Sequence, residues 1–498
     1  MKSQYFLLLT FYFSLLTFSY SQTSLKVNKI FGDHMVIQRG CKIPVWGTSN
    51  PDEKITIECR ELSLSTTADS KGNWKIVLPA QEIGIPFELK ISLKDKSIIF
   101  KDILIGEVWF ASGQSNMHLD LNRTLNGKEV AAKANNPNIR IYNMKPTYPT
   151  GKDGVHTLEE LDSIQNNKYF NTKGWVKVSP DNVLYFSAVA YYFSEKLQGE
   201  LNVPVGIIHN AVPGSPIESW MSEKSIKNDS VLTNFVEQRW KEKEEEKDAM
   251  ISIAKKQISL SKIEDQKHPW MPSYNYENGI LPIKDFPVKG VIWYQGESNA
   301  ELPAQYKTMF KKMVKTWRND WKNNFPFYYV QLTSREDRPA WPAFRNAQRE
   351  LLEIVPNSGM VVITDVGDRQ DTHAKNKKPV GERLALLALG DSYHKGANFE
   401  SPVFKEIYKS NGDYFIRFKG SFEGLKTSDN KEIIGFEISE NGKDFIKITP
   451  KISGNSVRFT LPEPFKAHFF IRYAWEPYTE ANLVSKNGLP VSSFSADN

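Results

Sequence analysis

The feature that most constrains the fold is a series of short apolar runs in the middle of the chain, separated by helix-patterned stretches. Strand-like runs lie at 107–111, 204–210, 288–294, 327–332 and 360–365. Segments 187–199, 305–318, 343–354 and 380–389 are helix-like instead. Short, continuous apolar runs suit strands covered on both faces. Their alternation with helices predicts a mostly parallel, doubly wound α/β sheet over 102–398. Before it, 22–101 is a succession of short alternating strands with turn residues between them, which predicts a β-sandwich. After it, the β pattern returns over 399–498, as a module that packs on the sandwich or stands by itself. The Lys/Glu-rich stretch 236–262 predicts a solvated helical insertion.

A chain of 498 residues fits two or three domains, and 40% hydrophobic content can supply a sizeable core. The net charge of +6 is spread out with no dense Lys/Arg block, so nucleic acid is not an expected partner. Residues 1–21 have Lys2, an apolar run over 6–18 and small residues Ser19 and Ser21, the pattern of a secretory signal. This predicts export to the periplasm or beyond. The run is short for a membrane span and no later segment is apolar enough, so no span is expected. The two cysteines, Cys41 and Cys59, can pair in an oxidising compartment or be simply buried. Nothing in the sequence sets the oligomeric state.

Ligands of open α/β sheets bind beyond the carboxyl ends of the strands. Each such end here is followed by residues suited to acyl transfer. Gly113-Gln114-Ser115 follows the first strand and opens a helix, where a backbone N–H stabilises negative charge. Gly214-Ser215 follows the second, Gly296-Glu297-Ser298-Asn299 the third, and Asp365, Asp368, Asp371 and His373 the last. A serine nucleophile requires a neighbouring base. Of eight histidines, His373 alone lies in a loop after a late strand of the sheet, with acids around it and a helix following. Asp371 is the first candidate to orient it, with Asp368, Asp365 or a backbone carbonyl as alternatives. Gly390-Asp391-Ser392 imitates a lipase motif but follows a helix, so Gly390 is expected to be a helix C-cap and Ser392 to be inert. No metal-ligand or phosphate-cradling spacing occurs, and no cofactor is expected.

The segments MVIQRGCKIPVWG, GEVWFASGQSNM, VKGVIWYQGESNA, FRNAQRELL, DVGD…THAKNKKPVGERLAL and IRYAWEP resemble the sialate O-acetylesterase family of the SGNH hydrolase superfamily. The likeness runs from about residue 24 to near the C-terminus, and GQSNM with YQGESN is its most specific part. The resemblance implies an SGNH-hydrolase-like sheet with flanking β regions and a secreted carbohydrate O-acetylesterase. Ser115 would be the nucleophile and His373 the base, with an oxyanion hole of the Ser115 and Gly214 N–H groups and the Asn299 amide. This chain departs from relatives at Ala374, where proline is frequent, and at Pro213-Gly214-Ser215, where two glycines are frequent.

The expected substrate is an O-acetylated sugar. Sialic acid would ask for a cation near the serine, for which Arg123, Arg338, Arg345 and Lys375 are candidates. Acetylxylan or another plant glycan would ask for aromatic platforms such as Trp220, Trp293 or Trp341. A non-catalytic glycan-binding protein on a hydrolase scaffold is the other reading.

Overall fold

The computed structural model describes residues 24–147, 157–242, 266–397, 399–420, 423–463, 465 and 468–498. The expected signal segment and most of the charged insertion lie outside them; the described beginning of that insertion belongs to the helix Ser230–Glu242.

Seven strands build the central sheet: β1 (Lys96–Gly113), β2 (Asn136–Asn143), β3 (Trp175–Val178), β4 (Val205–Ala211), β5 (Gly290–Tyr294), β6 (Phe327–Val330) and β7 (Ser358–Val361). Their order is β3-β2-β4-β1-β5-β6-β7. All neighbours are parallel except β3, which closes one edge antiparallel to β2. Every residue of β4, β5 and β6 is buried, which explains the unbroken apolar runs in the sequence.

Two adjacent side chains of β1 show how both faces are covered, because successive strand residues point to opposite sides. The Trp109 ring packs edge-on against Phe193 of α2 (Ala188–Leu201) and near Tyr393 of α5 (Lys378–Tyr393). The Phe110 ring meets Trp317 and Trp321 of α3 (Pro303–Trp321), beside which α4 (Trp341–Ile354) packs. A mixed sheet with helices on both sides is therefore present. The connection leaving β1 runs to β2 on one side and the connection leaving its neighbour β4 runs to β5 on the other, and such divergence leaves a crevice at the carboxyl ends.

β1 is 18 residues long and serves two modules. Its first half pairs antiparallel with Phe87–Leu93, itself paired with Lys54–Cys59. Its second half lies between β4 and β5. A second N-terminal layer consists of Lys26–Val27, Ile43–Thr48 and Asn73–Leu78. The strand crosses position 101/102 without a break, and the N-terminal and central apolar residues form one core. The C-terminal strands, from Val403–Ser410 to Phe494–Asp497, are antiparallel and enclose their own core around Ile416, Phe436, Ile438 and Phe494.

One expectation needs correction and one open alternative is resolved. Helix α5 continues through Gly390-Asp391-Ser392, and the left-handed cap is His394 at φ 53°. Gly390 is instead a packing glycine, since a Cβ there would come within 1.8 Å of Phe399. Asp391 and Ser392 both bond the Tyr328 hydroxyl, at 2.6 and 2.7 Å, which gives Ser392 a structural partner. Cys41 and Cys59 are both free thiols.

Candidate active site

Three strand ends stop at one level. Gly113 of β1 is the register partner of Ala211 in β4 and of Tyr294 in β5. The three turns that follow therefore start side by side, although they are far apart in sequence. Gly113 has φ +144°, and a Cβ on it would lie 2.1 Å from the Tyr294 carbonyl oxygen, so the site admits only glycine. The close approach lets the Gln114 N–H donate to that same oxygen at 3.0 Å. Ser115 then begins α1 (Ser115–His118), half-buried at the head of the helix.

Side chains staple the turns together. Gln114 Oε1 accepts from the backbone of Gly296 and Ser298, at 3.3 and 3.4 Å. The Ser298 hydroxyl donates to the Gly214 carbonyl at 2.9 Å. Asn299 Oδ1 accepts from the Ile217 N–H at 2.9 Å and from Gln295 Nε2 at 2.8 Å. Asn299 Nδ2 donates to Glu218 at 2.9 Å, and Glu218 is held by Arg239, which also bonds the Ser298 carbonyl. One amide hydrogen of Asn299 is thus committed to Glu218. Gly214 sits at φ +72° in the turn closed by Ser215 N–H on the Val212 carbonyl.

The histidine loop arrives from the edge of the sheet, between β7 and α5. Asp371 Oδ1 accepts the His373 backbone N–H at 2.8 Å and lies 3.8 Å from its Nδ1, close but outside hydrogen-bond range. The other acids are engaged elsewhere. Asp365 forms a forked pair with Arg383 at 2.7 and 2.6 Å, and Asp368 accepts the N–H groups of Gln370 and Asp371. Burial holds His373 below the ordinary histidine pKa, helped by the cations of Lys377, Arg123 and Arg335 and opposed by Asp371.

The link between serine and histidine runs through a residue that motif reading passed over. Asn116 Nδ2 donates to the carbonyl of Thr372, which precedes His373, at 3.1 Å, and to Glu297 at 2.5 Å. Its Oδ1 accepts from Lys377 Nζ at 2.6 Å. Asn116 is fully buried and Lys377 almost so. Their signal in the sequence was present but ambiguous: a Glu and an Asn inside two motifs, and a Lys just before a helix.

Several proposed substrate contacts fall away. Trp220, Trp293 and Trp341 are at most 2% exposed and belong to the core. Arg345 is wholly buried and donates to the carbonyls of Thr333, Ala474, Glu476 and Pro477, joining the central sheet to the C-terminal module. Arg123 and Arg338 remain exposed, each beside an acid, at 3.7 Å from Asp120 and 3.8 Å from Asp337 respectively. Lys375 is exposed, and its carbonyl accepts from Leu125 N–H. An aromatic that was not anticipated, Trp270, lies half-buried against Gly214 and donates to the Pro213 carbonyl at 2.9 Å.

Comparison with known proteins places this geometry in a class. A family model described as carbohydrate esterase, sialic acid-specific acetylesterase matches residues 105–389, which contain all three stapled turns and the histidine loop. The sialate O-acetylesterase of Homo sapiens is 26% identical over 476 residues, covering 86% of this chain and 83% of the relative. The Mus musculus sialate O-acetylesterase is 27% identical over 491 residues, covering 89% and 88%. Among solved structures, a carbohydrate acetylesterase from Xanthomonas citri superposes with TM-score 0.79 at 28% identity, covering 95% of this chain and 99% of that one. The protein is an ester hydrolase of the carbohydrate esterase class. Within that class, the chain belongs to the sialic acid-specific acetylesterase family.

Proposed function

We propose that the protein removes O-acetyl groups from sialic acid by a serine acyl-enzyme mechanism, on an SGNH-hydrolase-like sheet, after export. Ser115 Oγ attacks the acetyl carbonyl while His373 takes its proton. The tetrahedral oxyanion is met by the Ser115 and Gly214 N–H groups and by the Asn299 amide hydrogen that Glu218 leaves free. Collapse expels the sugar hydroxyl, which recovers the proton from His373. A water activated by the same imidazole then releases acetate.

The observation that carries this reading is the shared level of Gly113, Ala211 and Tyr294, which sets the serine turn between the two turns holding the other donors. The sugar assignment is supported by Arg123, an exposed cation whose charge reaches His373 and can meet a carboxylate-bearing ligand. The names of the mammalian relatives point the same way. Export is supported by the residue 1–21 pattern.

The test is acetate release from O-acetylated sialic acid beside acetylated xylan oligomers and p-nitrophenyl octanoate. Fast turnover of the sialate with loss in Ser115→Ala supports the reading. Acetate from xylan alone overturns the substrate. Octanoate cleaved faster than acetate overturns the carbohydrate reading altogether. A fluorophosphonate that labels a serine other than Ser115 overturns the mechanism.

A further inference from the structure

We propose that Asn116, Glu297 and Lys377 form an internal clamp that fixes the spacing between Ser115 and His373, so that all three are positioning residues for catalysis. The inference rests on the reading of Ser115 and His373 given above. Asn116 is the residue after the serine, and among the described residues its amide is the side-chain bridge from the serine helix to the backbone beside the histidine. Its orientation has a single solution. An ammonium can only donate, so the atom facing Lys377 Nζ at 2.6 Å must be the carbonyl oxygen. The amide nitrogen then faces Glu297 Oε1 and the Thr372 carbonyl, and its two hydrogens satisfy both.

The two ionisable groups are costly to bury for packing alone. Lys377 is 2% exposed, and its ammonium lies 5.5 Å from the centre of the Tyr294 ring, a cation–π distance. Glu297 Oε2 is shut away from solvent with no hydrogen-bond partner. An Asn between two aliphatic residues would flip freely; between this acid and this base it cannot. Each member comes from a different strand end: Asn116 follows β1, Glu297 follows β5 and Lys377 precedes α5. The clamp therefore fastens the histidine loop, which arrives from the edge strand, to the central crevice.

The clamp also acts on the base electrostatically. The charged groups facing His373 are Lys377 and Asp371 from its own loop, Arg123 from the segment after α1 and Arg335 from the segment after β6. Among these cations, Lys377 contributes most to keeping the imidazole neutral.

Lys377→Met and Glu297→Gln, with the pair combined, test this in the full-length protein against p-nitrophenyl acetate. Small displacements of reacting groups cost on the order of 100-fold in rate. Each single variant should lose about 10- to 100-fold in kcat with KM within about threefold, and fluorophosphonate labelling of Ser115 should slow in parallel. In Lys377→Met the acid limb of kcat/KM should also move up in pH, because the cation that depresses His373 is gone. A residue that served only folding would lower Tm and leave that limb in place. If a single variant fails to fold because one charge is left unpaired, the double variant, which removes both, carries the same expected loss. Folded variants with wild-type kcat and an unmoved acid limb overturn the clamp while Ser115→Ala remains inactive. Activity persisting in Ser115→Ala overturns the catalytic reading and the clamp together.

Discussion

The indole of Trp270 lies so close to Gly214 that a Cβ on the glycine would come within 2.3 Å of Cζ2. The ring closes one wall of the central turn, and the turn in turn holds the ring through the Pro213 carbonyl. Gly214 is also at φ +72°, where any other L-residue is strained. Gly214→Ala should lower stability by at least about 2 kcal/mol and cut kcat by about 100-fold or more. Trp270→Ala in the same chain should return part of the lost stability. Thermal unfolding and esterase rates of the single and double variants measure both; a silent Gly214→Ala would remove this turn from the site.

The kcat/KM profile should rise with pH through a group that titrates below the ordinary histidine value of about 6.5. The sign follows from the shift of His373, which is downward, so the neutral base persists to more acid pH than a free histidine would allow. A limb centred above pH ~7 contradicts it.

Stability has its own acid dependence. Burial brings His118 down to about 4 and His209 down to about 3. The unfolded chain binds protons on these rings from about 6.5 downward while the folded chain resists. Their contribution is therefore complete above that pH and is lost as pH falls toward 3 to 4. Tm should drop between pH 6.5 and 4, and His118→Gln with His209→Gln should flatten that drop, as calorimetry can check.

Asp371→Asn should cost no more than about 100-fold in kcat, less than full loss of a triad acid, because its contact with the ring is 3.8 Å and its firm bond is to the backbone. Asp365→Asn should lower Tm through its Arg383 pair and spare kcat. The reverse ranking of the two would reassign the orienting acid.

Arg345→Met should be among the most destabilising single changes, at about 3–5 kcal/mol, since it strands buried carbonyls on both sides of a module boundary. Limited proteolysis should then release the C-terminal strands. A wild-type melting curve would show that the boundary is held by other contacts.

Legibility of the sequence followed burial. Strands β4, β5 and β6 are buried throughout, so their apolar runs announced them within a residue or two. Strand β2, NPNIRIYN, has exposed positions at its start and a central arginine bound to Asp102, and β3 is only four residues long. Neither breaks the background enough to be seen. The turn after β1 was legible because its close approach to Tyr294 needs a glycine, with the serine two residues on at the head of a helix. Asn116, Glu297 and Lys377 were not, since a sequence cannot say that residues about 80 to 260 positions apart share one hydrogen-bonded amide. Trp220 and Trp293 misled for the opposite reason. Composition cannot tell an exposed indole from one packed edge-on against its neighbour in the core.

Strand β1 has a consequence for how the molecule comes apart. It is zipped antiparallel at one end and flanked by parallel partners at the other, so neither region can lose its edge without fraying the strand that ends at Gly113. The N-terminal β layers and the crevice should therefore melt in one cooperative step. The C-terminal strands have a separate apolar interior, so once the Arg345 bonds across the boundary are lost they are free to melt at a temperature of their own.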